Sequence, residues 1–153
     1  MCIRDSPGVV DRYLQRISGP LLDRIDLHVE VVPVPFRELS TYHAAESSAK
    51  VRQRVTQARR VQLERFARHP GTHCNAMMSS RLLREHCRVN EPGQQLLRSA
   101  MERLGLSARA YDRILKVART IADMEGSPGI EPHHLAEAIN YRSMDRSGWG
   151  KTT

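Results

Sequence analysis

One short segment alternates as a strand must, and nothing later in the chain offers it a partner. In Asp26-Leu27-His28-Val29-Glu30-Val31-Val32, Leu27, Val29 and Val31 fall on one side of an extended backbone. Pro33 and Pro35 end it. A lone strand leaves its own N–H and C=O groups without a ladder. Almost everything else in the 153 residues has helical periodicity. The mismatch predicts a strand-bearing stub of a larger fold, followed by a mainly helical bundle.

The helical segments carry their own start and stop signals. Val10, Tyr13, Leu14 and Ile17 share a side over Asp11 to Ile17, and Ser18-Gly19-Pro20 breaks that run. A second helical turn, Leu21 to Ile25, feeds the alternating segment. In "ESSAKVRQRVTQARRVQLERFA", Val51, Val55, Ala58, Leu63 and Phe66 recur at helical spacing between arginines, and Pro70-Gly71 stops the run. "SSRLLREHC" has Ser79 or Ser80 as its cap. Asn90 caps "EPGQQLLRSAMERLG", with Pro92 in its first turn and Gly105 at its end. Ser107 caps "ARAYDRILKVARTIADMEG", whose Tyr111, Ile114, Leu115, Ala118, Ile121 and Ala122 form one apolar stripe. "EPHHLAEAINYR" reads as a last amphipathic helix, and the tail from Ser143 is polar.

Charge narrows the partner class. Twenty-four Lys+Arg against 17 Asp+Glu give +7, and lysine appears only at Lys50, Lys116 and Lys151. Arginine's planar fork suits phosphate and carboxylate better than a point charge does, which tilts the expected partner toward nucleotide or nucleic acid. No apolar run approaches the ~20 residues of a membrane helix, and "MCIRDSPGVV" lacks an apolar signal core, so a cytoplasmic protein is expected. Cys2, Cys74 and Cys87 have no C-x-x-C spacing; reduced thiols are expected, with no metal site. No phosphate-cradling glycine loop, nucleophile elbow or H-E-x-x-H occurs, and His133-His134 beside Glu131 reads as a surface pair.

Two arginines stand out. Arg24 lies between Asp23 and Asp26 just before the alternating segment. It is either one of several solvated, mutually balancing charges or a guanidinium pushed off the edge of a core toward something negative. Arg109 lies in the first turn of the strongest helix, where free N–H groups and the helix dipole already favour an anion. Arg113 and Lys116 share its face; an ordinary solvated basic face is the alternative.

"YLQRISGPLLDRIDLHVEV" followed by "LSARAYDRILKVARTIADMEG" resembles the C-terminal part of the magnesium chelatase-like AAA+ ATPases of the YifB/ComM type, over residues 6–142. The resemblance implies a mainly α chain: the end of an α/β P-loop AAA+ core, contributing its last strand, followed by an α-helical lid bundle. Residues 1–32 then end the core, 33–47 are a linker, 48–142 the lid and 143–153 a tail. Arg24 in "LLDRIDLHV" falls where the family places its arginine finger, implying a catalytic role on the γ-phosphate of a neighbouring subunit's ATP. Arg109 in "LSARAYDR" matches the sensor 2 arginine, implying contact with nucleotide phosphates. The "VRQRVTQARRVQLERF" helix matches part of the insertion that moves the lid in this clade and that can turn sensor 2 toward the adjacent subunit.

ATP and Mg2+ are the implied cofactors, held mainly by Walker A, Walker B and sensor 1 elements that the family places upstream. The fragment alone is therefore expected to be inactive. A hexameric homo-oligomeric ring acting on DNA, by branch migration or helicase activity in natural transformation, is the implied function, with no membrane partner. A chelatase-type motor subunit and a non-enzymatic helical DNA-binding module are the alternatives. Residues 1–5 do not resemble the family and read as a sequence remnant.

Overall fold

Each helix starts at a residue that closes its own first turn. The computed structural model describes residues 21, 24–29, 31–36 and 45–142. The expected helix at 11–17, the Ser18-Gly19-Pro20 break, Asp23 and the tail lie outside the described residues. Among the described residues there are five helices: α1 (Ser48–Arg65), α2 (Ser80–His86), α3 (Glu91–Leu104), α4 (Ala108–Glu125) and α5 (Pro132–Asn140). Ser47, Ser79, Asn90 and Ser107 accept the N–H groups of Lys50, Leu82, Gly93 and Ala110 at 3.4, 3.4, 3.1 and 3.2 Å. α5 begins with a capping box between Glu131 and His134. Gly105 and Gly126 end α3 and α4 at φ 61° and 72°, the left-handed geometry in which a side chain is strained.

α4 is the centre of the bundle. It packs against α1, α2, α5 and the 3-10 turn Asn75–Met77, while α3 packs on α5. Ile114, Leu115, Ala118 and Ala122 of its stripe are buried, joined by Phe66, Met78, Leu82, Leu83, Leu97 and Leu135. Ile121 is half-buried and Tyr111 is exposed, so the stripe is narrower than its periodicity suggests. Each fully buried side chain such as Ile114 or Leu135 contributes roughly 1.5–3 kcal/mol of transfer free energy. Gly93 permits the approach of α3 to α5: a Cβ there would stand 2.4 Å from Val89 Cγ1 and 2.8 Å from Leu135 Cδ1.

Two expectations need amendment. Among the described residues, 27–29 and 31–35 form no strand, and Leu27, Val29 and Val31 are exposed; His28 is the buried member of the segment. A ladder needs a neighbouring strand, and the described part of this chain supplies only an isolated bridge between Val89 and Ile130. In α1, Val51, Val55 and Leu63 are exposed, and the stripe that packs is Ala58, Gln62 and Phe66, spaced four apart. Only the second half of α1 lies against α4, and Gln62 is buried because its carbonyl oxygen accepts the Asn75 N–H at 3.4 Å.

That second half is held by a buried carboxylate. Asp123 of α4, with a fully buried side chain, receives Arg65 of α1 through both guanidinium NH2 groups, Asn75 Nδ2 at 2.8 Å and Arg119 Nε at 3.0 Å. Arg119 also donates to the carbonyls of Ser127 and Pro128 at 2.7 and 3.0 Å, and Asn75 Nδ2 reaches Thr120 Oγ1 at 3.1 Å. Burial alone would raise the Asp123 pKa. The hydrogen bonds from Arg65 and Asn75, with the charges of Arg65 and Arg119, outweigh burial and hold the carboxyl below its ordinary value.

A carboxyl depressed in the folded state adds stability that is complete above its unfolded pKa, about 4, and is lost as pH falls through the lower folded value. Asp123→Ala is expected to cost on the order of 3 kcal/mol in urea denaturation at neutral pH, because it strands two buried guanidinium contacts. The gap between wild type and variant should narrow as pH falls below about 4 and through the lower folded value; a pH-independent gap would remove the ionised carboxylate as the cause.

Candidate functional site

Arg24 is exposed on a turn closed by its own N–H, which donates to the Leu21 carbonyl at 3.0 Å. Three contacts fasten the residues after it to the helical bundle. The Asp26 carboxylate pairs with Arg113 of α4. The Ile25 carbonyl accepts from the Arg142 guanidinium, and the His28 N–H donates to the Tyr141 carbonyl at 2.7 Å. Arg142 is itself buried at the end of α5. The Asp26 acid flanking Arg24 is thus spent on α4, and Arg24 projects from a docked segment.

Arg109 is the second residue of α4 and is exposed. It precedes Arg113 by four residues, one helical turn on the same face. The Asp26–Arg113 pair therefore joins the Arg24 segment to the face of α4 that carries Arg109. Among the described residues neither guanidinium has an acidic partner, whereas Arg65, Arg113 and Arg119 all do. Lys116, expected on that same solvated face, donates to the Ala76 carbonyl at 3.0 Å. What the arrangement offers is two guanidiniums without acidic partners among the described residues, on coupled elements, the second in the first turn of an 18-residue helix.

Along the exposed half of α1, Arg52, Thr56 and Arg60 recur every four residues with Gln53 and Gln57 beside them, and all are exposed. Arg54 is paired with Glu46 at 2.6 Å.

Among the described residues the other titratable groups do not form a nucleophilic centre. Burial pushes the Cys87 thiol up to about 12, so it packs as a neutral side chain. His134, expected on the surface, is fully buried. Its Nδ1 accepts the Glu131 N–H at 2.8 Å, so its Nε2 carries the proton and lies 2.9 Å from Glu125 Oε2. His133 Nε2 reaches the same oxygen at 3.0 Å, and these two hydrogen bonds hold the Glu125 carboxyl below its ordinary range. Missing from the sequence reading were Asp26 as a clamp, Asp123 as a hub and His134 as a cap. A His three residues after Glu131 at a helix start was the available signal for the last.

Comparison with known proteins places these residues in context. The family model described as "Magnesium chelatase, subunit ChlI C-terminal" matches residues 45–142, and "Magnesium chelatase, subunit ChlI" matches residues 1–39. The chain is 45% identical over 144 residues to "Competence protein ComM" of Haemophilus influenzae, covering 94% of this chain and 27% of the relative. It is 43% identical over 144 residues to "Uncharacterized protein YifB" of Escherichia coli, covering 94% of this chain and 28% of the relative. An uncharacterised protein of Mycobacterium bovis is 41% identical over 133 residues, 86% of this chain and 26% of that relative. The chain thus spans about a quarter of the length of these curated relatives.

The clamp is open to test without touching Arg24. Arg113→Ala is expected to change global stability by less than about 1 kcal/mol, since the pair is partly exposed. Limited proteolysis should nevertheless cut sooner near residues 24–29. Unchanged cleavage there would show that the ion pair does not hold the segment.

Proposed function

Because the chain belongs to the magnesium chelatase ChlI family of AAA+ proteins, we propose that it is the portion of a ring-forming ATPase that presents Arg24 and Arg109 to nucleotide phosphates. The observation that carries this reading is the pair of exposed guanidiniums, free of acidic partners among the described residues and coupled through Asp26–Arg113. Arg24 acts as the arginine finger on a neighbouring subunit's γ-phosphate, and Arg109 as sensor 2 on the lid. ATP supplies the phosphoryl group whose transfer drives the motor. The two guanidiniums fit its phosphates, while the loop that grips them and the acids that hold Mg2+ belong to parts of the protein beyond this chain. Residues 1–32 are the end of the ATPase core, 33–47 the linker, 48–142 the lid and 143–153 the tail; the break between the two family matches, after 39 and before 45, supports a boundary within that linker.

The substrate of the motor is DNA, in a hexameric ring that remodels strands during uptake of transforming DNA. A relative is named as a competence protein, and the basic row Arg52, Thr56 and Arg60 on α1 suits a phosphate backbone. α1 belongs to the insertion that repositions the lid. A second reading, a chelatase motor that drives metal insertion into a tetrapyrrole, draws support from the family name.

In the full-length protein, Arg24→Ala is expected to lower ATP turnover on the order of 10³-fold while ATP binding is retained. Arg109→Ala should weaken the response to ATP concentration. Wild-type turnover in Arg24→Ala would remove the finger assignment. ATPase activity that rises with added DNA supports the DNA motor; a rise only with protoporphyrin and partner subunits supports the chelatase.

A further inference from the structure

Two clusters of three potential metal ligands exist among the described residues, and their hydrogen bonding separates them. The ligand atoms of Glu125, His133 and His134 lie within 4.8 Å of one another, as do those of His69, Glu85 and His86. In the first cluster the capping box sets the tautomer. His134 Nδ1 must stay an acceptor for the Glu131 N–H, so Nε2 keeps its proton and donates it to Glu125. A ligating imidazole needs the reverse, a bare nitrogen toward the metal and an N–H on the far side.

No such lock holds the second cluster. His86 Nε2 is buried and has no hydrogen-bond partner among the described residues. The nearest carboxylate oxygen, Glu85 Oε1, is 3.8 Å away, beyond the ~3.2 Å limit of an N–H···O bond. It is close to the ~3.4 Å edge of a tetrahedron built with metal–ligand bonds of about 2.1 Å. His69 stands in the turn after α1, fixed on both sides by its N–H to the Phe66 carbonyl at 2.8 Å and by Thr72 N–H to its own carbonyl at 3.1 Å. Its ring meets that of His86 edge-to-face at 6.3 Å, and His86 rests on Phe66 at 5.6 Å.

We propose that His69, Glu85 and His86 form a binding site for a borderline transition-metal cation such as Zn2+, with water as the fourth ligand, joining the end of α1 to the end of α2. The donor set, two imidazoles and one carboxylate, is one that Zn2+ accepts in three-protein-ligand sites. His86 is the last residue of α2, where the helix dipole favours positive charge. The guanidiniums of Arg65 and Arg119 both pair with the Asp123 carboxylate.

The test is calorimetric titration of the full 153-residue chain with Zn2+ under reducing conditions, with Co2+ as an optical probe. One saturable equivalent is expected, together with a rise in melting temperature. Glu85 is exposed, so Glu85→Gln leaves the fold intact; it and His69→Gln should each weaken Zn2+ at least about tenfold. His133→Gln should leave the affinity unchanged. The proposal is overturned by absence of saturable binding, by wild-type affinity in both Glu85→Gln and His69→Gln, by loss of binding in His133→Gln, or by thiolate charge-transfer absorption in the Co2+ complex.

Discussion

Asp123 is the group on which the arrangement of the bundle turns. A carboxylate buried on the central helix is costly to desolvate and is retained only if its oxygens are filled. Arg65, Asn75 and Arg119 fill them from α1, the 3-10 turn and α4 itself. Because Arg119 goes on to the carbonyls of Ser127 and Pro128, the same network shapes the α4–α5 connection. The apolar core brings helices together over broad areas. The carboxylate selects one rotation of α1 against α4, because Arg65 is the last residue of α1 and its guanidinium reaches Asp123 with both NH2 groups.

From that frame the path to the candidate site is short. α4 is fixed at its C-terminal half by Asp123, and its N-terminal half carries Arg109 outward and Arg113 toward Asp26. The Arg24 segment lacks a sheet of its own among the described residues, yet it is anchored through Asp26, the Ile25 carbonyl and the His28 N–H. Arg24 and Arg109 thus sit on elements joined by the Asp26–Arg113 pair.

Much of the fold was legible because helix ends obey local chemistry. Ser79, Asn90 and Ser107 cap the helices that their positions predict, and Gly105 and Gly126 end theirs, since capping depends on atoms within three or four residues. The family resemblance read from "LLDRIDLHV" and "LSARAYDR" agrees with the matched models and relatives. Less legible was which apolar residues would be covered. Val51 and Val55 have helical spacing as good as Ala58 and Phe66, but α4 runs beside only one end of α1. The alternation of Leu27, Val29 and Val31 is a strand signal whose ladder needs a partner outside the segment.

What the sequence alone determined is therefore local: where helices start and stop, which face of α4 is apolar, and the excess of arginine that directs the chain toward anions. What only the tertiary structure decided is the fate of each charge. Arg24, Arg65, Arg109, Arg113 and Arg119 are chemically alike, and no periodicity tells that Arg65 and Arg119 share Asp123, that Arg113 is taken by Asp26, or that Arg24 and Arg109 remain exposed. The partners lie up to 87 positions apart in the chain. A guanidinium's role follows from the carboxylate that packing brings within reach, and packing is a property of the whole bundle.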